Sequence, residues 1–123
     1  MEIASLAIRM PKPKSLNVAY AGQHWTKRKG STDKYREAVC FLLLEQGKPT
    51  FEVETYQLML VSNGRTDIDN RIMAIKYLND AMEKDLKWIP NDGPKVFREF
   101  TVRQDDALER DEFVMHITFY GRK

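Results

Sequence analysis

Three consecutive stretches constrain this chain more than anything else in it. Residues 51–61 alternate like a strand, the run from Asn70 to about Leu86 carries apolar residues at helical spacing, and residues 96–102 alternate again. A strand, a helix and a strand in that order favour two parallel neighbours bridged by a crossover helix. In the first strand, Phe51, Val53, Thr55, Gln57 and Met59 share one side, and Glu52, Glu54, Tyr56, Leu58 and Leu60 share the other. The apolar content changes sides midway, so both faces are expected to be partly covered. Ile72, Ile75, Leu78, Met82 and Leu86 form the apolar stripe of the helix.

Around this unit the other elements fall into place. Residues 2–9 alternate loosely through Ile3, Leu6 and Ile8, and Pro11 and Pro13 end the strand. Residues 15–30 read as a loop, and Ser31-Thr32-Asp33 offer N-caps for a helix to about Gln46. Tyr35, Ala38, Val39 and Leu42 line one side of that helix, flanked by Leu43 and Gln46, and Gly47 stops it. Residues 105–112 read as a hairpin loop. Phe113, Met115, Ile117 and Phe119 then alternate against Val114, His116, Thr118 and Tyr120 in a last strand. The expected architecture is α+β with an α/β-like unit: one domain over residues 1–123, in the order β-α-β-α-β-β. Two helices pack on a mixed sheet whose last two strands form an antiparallel hairpin.

At 123 residues the chain suffices for one core and not for two. Its 42% hydrophobic and 31% charged content is that of a soluble globular protein. The apolar run Ala38–Leu44 is far too short to span a membrane, and the N-terminus lacks a secretory layout. A cytoplasmic location is expected, and the single cysteine, Cys40, agrees with it. Set in an apolar helical run, Cys40 reads as buried and inert. Charge is uneven: residues 1–50 carry 9 basic and 4 acidic side chains, residues 51–123 carry 11 and 14. A basic first half suits a polyanion and an acidic second half suits a metal ion, although an uneven solvated surface gives the same count.

The acids carry the chemistry. Asp67 and Asp69 stand two apart where a strand gives way to a helix, so an extended backbone points both to one side. Asp92 follows the helix within Ile89-Pro90-Asn91-Asp92-Gly93 and can fold back toward them. Three convergent carboxylates call for a hard divalent cation such as Mg²⁺. Such an ion suits in-line displacement at a phosphate. Lys76, about two turns into the helix, could reach the acids or the phosphate. The same residues also have plain structural uses. Asp69 can cap the helix, Asp92 can make a turn, and Lys76 with Asp80 is an ordinary i,i+4 pair. Other chemistries lack their motifs: there is no G-x-S-x-G, H-E-x-x-H or phosphate loop, and His24 and His116 are the only histidines.

Arg65-Thr66-Asp67-Ile68-Asp69-Asn70, the helix bearing Lys76 and Asp80-Ala81-Met82, and Trp88-Ile89-Pro90-Asn91-Asp92-Gly93-Pro94-Lys95-Val96 together resemble the RusA family of Holliday junction resolvases. The segment Met10–Tyr20 also resembles that family's first strand and its Pro-rich exit. The resemblance spans nearly the whole chain in element order. It implies a homodimeric, Mg²⁺-dependent endodeoxyribonuclease that makes paired nicks in four-way junctions during DNA recombination and repair. It implies catalytic, metal-ligating roles for Asp67, Asp69 and Asp92. The family's lysine normally follows the second aspartate by four residues, where this chain has Met73, so its role passes to Lys76, with Arg71 as a fallback cation. The usual paired aspartates before the third strand are Asn91-Asp92 here.

Lys12, Lys14, Lys27, Arg28 and Lys29, interleaved with Asn17, Tyr20 and Trp25, are expected to contact DNA near a branch point. Arg65 and Arg71 flank the acids and could fix the scissile phosphate. A two-fold dimer would present two active sites to opposing strands of the junction, and Phe41 and Leu44 are available for its interface. Two alternatives stand beside this expectation: a junction-binding protein that cleaves nothing, and a metal-dependent nuclease acting on other branched DNA.

Overall fold

The computed structural model describes residues 1–11, 25–63, 68–109 and 112–122, with side chains described over these residues except 11, 25–33, 68–72 and 112. The elements are β1 (Glu2–Pro11), α1 (Trp25–Gln46), β2 (Glu52–Ser62), α2 (Ile68–Asp80), β3 (Phe97–Gln104) and β4 (Glu112–Arg122). A π-helical turn, Ala81–Asp85, continues α2. This is the expected β-α-β-α-β-β order in a single α+β domain, with four strands in one mixed sheet and two helices. No helix among the described residues is long and apolar enough to cross a membrane.

The sheet order is β1-β4-β2-β3, and β2 and β3 run parallel as the strand–helix–strand pattern predicts. The expected hairpin between the last two strands does not form. β4 instead inserts between β1 and β2, antiparallel to both. Side-chain chemistry explains the choice. Phe113, Met115, Ile117 and Phe119 are fully buried, and Val114, Thr118 and Tyr120 on the other face are half-buried. Such a strand belongs at the centre, whereas β3 is mostly exposed and suits an edge. To reach its place, the chain after β3 must cross the end of β2. Asp105 N–H donates to Ser62 O at 2.9 Å, and Asn63 Nδ2 donates to Leu108 O at 2.6 Å and to Asp106 O at 3.2 Å. Asn63 thus tethers the crossing loop.

The inward row of the sheet includes Ile8 and Met10 of β1, the four apolar residues of β4, and Tyr56, Leu58 and Leu60 of β2. Val39 and Leu43 of α1 and Ala74, Leu78, Ala81 and Met82 from α2 and its π-turn cover it. α1 begins at Trp25, well before the expected caps, and includes Gly30 and Ser31. The Lys27-Arg28-Lys29 run favours helix, and its continuity with the long turn to Gln46 outweighs the roughly 1 kcal/mol cost of one interior glycine. Ala38 and Gln46, placed on the apolar side by periodicity, are exposed. Gly47 ends the helix as expected, at φ 92°, its N–H donating to Leu43 O and Leu44 O at 3.2 Å.

Near the end of β4, Gly121 lies between Glu2 of β1 and Val53 of β2. A Cβ there would collide with the Glu52 carbonyl oxygen and lie 2.7 Å from Phe51 Cδ2. Gly121→Ala is therefore expected to cost about 1–3 kcal/mol of stability through overpacking, read from the midpoint of urea denaturation.

Candidate metal centre

α2 leaves the end of β2 and returns along the sheet, so its first and last turns sit at opposite ends of the domain. The last turn does not close as an α-helix. Leu86 N–H donates to Ala81 O at 2.9 Å, the i→i−5 spacing of a π-turn. The chain then breaks sharply at Lys87, which is held at φ 57°. Trp88 N–H donates back to Met82 O at 2.7 Å, and Trp88 and Ile89 plug into the core, with Trp88 edge-on to Phe119. Anchored in this way, the loop brings Asp92 back beneath the helix end.

Three carboxylates meet there. Asp80 closes α2, Glu83 lies in the π-turn, and Asp92 comes from the loop; each offers an oxygen within 4.8 Å of the others. Asp80 and Glu83 are half-buried and Asp92 is exposed. Lys76 Nζ and Lys84 Nζ flank Asp80 at 3.9 Å and 3.7 Å. Below the cluster, the Tyr56 hydroxyl donates to Asn79 Oδ1 at 2.7 Å in a buried pair. Burial pushes the Tyr56 phenol well above its usual range, and the charges of Asp92 and then Glu83 push it further. Tyr56 is therefore a neutral donor at any physiological pH. Three oxygen donors at this spacing, one of them open to solvent, fit a hard cation such as Mg²⁺ or Mn²⁺ and do not suit a soft one.

Glu83 also lines a groove of about 1110 Å³. Lys48, Lys84, Lys87 and Arg122 contribute its cations, and Phe51 and Trp88 are buried against its floor. Carboxylates beside lysines in an open groove could hold a cation and the anion it neutralises.

The acids expected from sequence are not all gathered here. Asp92 is present. Asp69 lies in the first turn of α2, eleven residues before Asp80, or roughly 16 Å along the axis at 1.5 Å per residue. Its side chain and that of Arg71 lie outside the described residues, as do Asp67, Arg65, Lys12, Lys14, Asn17 and Tyr20 altogether. Trp25, Lys27, Arg28 and Lys29 belong to the opening turns of α1 and not to a loop, with side chains outside the description. Lys76 is exposed and pairs with Asp80, the i,i+4 partner read from its spacing. Met73, at the position where the RusA resemblance places a lysine, is buried. Asp80 and Glu83 escaped notice as ligands. Their i,i+3 spacing was visible, but only the return of the chain through Trp88-Ile89 gives them a third partner.

α1 holds the π-turn in place from the side. Arg36 donates to both oxygens of Asp85, at 2.7 Å and 3.0 Å, and Cys40 Sγ donates to Asp85 Oδ2 at 3.5 Å. Cys40 is half-buried. Burial first, and the Asp85 contact second, raise its thiol to about 11, so it is protonated at neutral pH, although the full burial expected from sequence is not reached. The hydrogen bonds from Arg36 hold the Asp85 carboxyl below its ordinary range.

No family model matches this sequence, and no curated protein does. Among solved structures, a 2C-methyl-D-erythritol-2,4-cyclodiphosphate synthase is similar at 17% identity and TM-score 0.34, over 73% of this chain and 51% of that one. The chain thus spans about half the length of that synthase. A CDP-bound form of such a synthase is similar at 12% identity and TM-score 0.38, over 96% of this chain and 97% of that one. Likeness at these scores carries neither fold nor activity to this chain.

Two outcomes follow from the geometry. Tyr56→Phe leaves Asn79 Oδ1 buried without its donor and is expected to cost about 1–3 kcal/mol, read by urea denaturation. Asp85→Asn is expected to cost at most about 1 kcal/mol at neutral pH, because the pair is partly exposed. A carboxyl whose folded pKa is depressed stabilises above its unfolded pKa and loses that contribution as pH falls through the folded value. The gap between Asp85→Asn and the parent should therefore close in acid, as measured by thermal denaturation from neutral pH downward.

Proposed function

We propose that this protein is a Mg²⁺-dependent endodeoxyribonuclease acting on branched DNA, with the four-way junction as its substrate, as the RusA resemblance implies. The observation that carries the reading is the Asp80–Glu83–Asp92 cluster, with donors within 4.8 Å of one another at the edge of a lysine-rimmed groove. A divalent ion bound by these three carboxylates would supply an activated water and charge stabilisation at a phosphodiester. The remaining work belongs to the chain. Asp80 and Glu83 would hold the ion from the end of α2 and its π-turn, and Asp92 would complete the set from a loop anchored by Trp88. Lys76 and Lys84 offset the charge of Asp80, and Lys84 lines the groove where a phosphate approaches. Lys48 and Lys87 orient the sugar-phosphate backbone along the groove, as cations without base preference do. A homodimer presents two such sites to the two-fold symmetric junction.

A second reading keeps junction binding and drops cleavage. It is favoured by buried Met73 at the lysine position and by the separation of Asp69 from Asp80 along α2.

A cleavage assay on a mobile four-way junction, a flap and a linear duplex separates these readings. Nicking of the junction that needs Mg²⁺ and stops with EDTA is expected. Asp92→Asn should abolish nicking and leave junction binding intact. Junction binding that is indifferent to EDTA, with no nicking at any Mg²⁺ concentration, selects the non-catalytic reading. Asp80→Asn beside Asp69→Asn then shows which end of α2 performs the chemistry.

A further inference from the structure

β3 is an edge strand of eight residues, Phe97–Gln104, and no strand among the described residues lies on its outer side. Its burial pattern is that of an uncovered element: every residue after Phe97 is exposed. Two of these residues are large and apolar. Phe100 is 43% exposed and Val102 is 38% exposed, on the helix-bearing face beside Leu58 and Leu60. From Glu99 onward this edge is regular, carries apolar side chains and holds no proline, which makes it a template for another strand.

The direction of the open hydrogen-bonding groups can be derived. Asp105 N–H donates to Ser62 O, so Asp105 turns toward β2. Alternation along the strand turns Arg103, Thr101 and Glu99 the same way. Phe100, Val102 and Gln104 therefore direct their N–H and C=O groups to the open side, the alternation holding from Glu99 onward, past the register shift at Arg98.

A second copy of this strand, laid antiparallel about a two-fold axis at Thr101, fits this edge. Phe100 then lies opposite Val102 of the mate, and both have free backbone groups to exchange. Glu99 lies opposite Arg103 on the other face, and Thr101 lies opposite itself. Opposite charges, and an aromatic against a β-branched residue, are the favourable cross-strand pairs. Moving the axis to Val102 sets Glu99 against Asp105, and moving it to Phe100 removes the ion pair. Shifts that place the axis between residues oppose an inward-bonding residue to an outward-bonding one.

We infer that the protein dimerises through its β3 edges in this register, giving one continuous eight-stranded sheet. The partner is another copy of this chain. The inference deepens the homodimeric reading above by assigning its surface. It does not depend on the acids, so nicking can fail while the dimer stands. The register also turns the mates end for end: the Phe97 end of one strand, which follows Asp92, lies across from the Asp105 end of the other.

Sedimentation velocity over a wide concentration range tests it. The parent chain should reach a dimer. Glu99→Arg and Arg103→Glu, each alone, set like charges across the axis on both sides and should weaken the dimer severalfold or more. The double variant Glu99→Arg with Arg103→Glu restores opposite charges and should restore the dimer. Val102→Pro removes an outward N–H without touching the β2 ladder and should give a folded monomer by circular dichroism. A parent chain that stays monomeric, a dimer indifferent to Val102→Pro, or a double variant no better than either single one overturns the inference.

Discussion

β4 spends both of its edges. It pairs along its length with β1 on one side and β2 on the other, and its inward row is fully buried. That double pairing decides the rest of the fold. With β4 beside it, β2 has only its other edge to offer, and β3 must take it. α2, which joins β2 to β3, is then committed to running back along β2. β3, with its charged and exposed residues, is left at the rim. The crossing segment after β3 needs a fixed route over β2, and Asn63 supplies it by bonding to two carbonyl groups of that segment.

The candidate site inherits its position from this frame. A crossover helix begins at one end of a strand and finishes at the other. Asp69 and Asp80 are therefore held apart by the length of α2, whatever the intervening sequence. Asp92 follows the helix and so joins the acids at its finish. Tyr56 ties the two layers together beneath them. It stacks on Phe97 with centroids 5.0 Å apart and donates to Asn79 of α2. The acidic cluster thus has a buried, neutral pair near it, and Lys76 and Lys84 compensate Asp80 from the solvent side.

Local pattern revealed the type and order of every element, because alternation and the 3.6-residue stripe report which face of a segment is dry. Gly47 was legible as a stop for the same local reason. Strand neighbours were not, since pairing links residues distant in sequence: nothing near Phe113 states that Tyr120 will lie between Ile3 and Thr55. The start of α1 was misjudged because Ser31-Thr32-Asp33 can cap a helix but need not. Of the expected acids, Asp92 lies with Asp80 and Glu83, while Asp67 and the side chain of Asp69 fall outside the described residues. Two acids three apart on a helix are common on solvated faces. Only the return of Trp88 into the core distinguishes these.

The π-turn at Ala81–Asp85 has a consequence for how this segment tolerates change. It accommodates one residue more than an α-helical turn of the same height, so the helix before it and the chain after it keep a common phase. Loss of one codon within the turn would restore regular winding and leave Trp88 near its slot against Phe119. Only the side chains inside the turn, Glu83 and Asp85 among them, would be dealt to new angles. The extra residue is thus a local means of aiming acids, separable from the anchoring of the loop that follows.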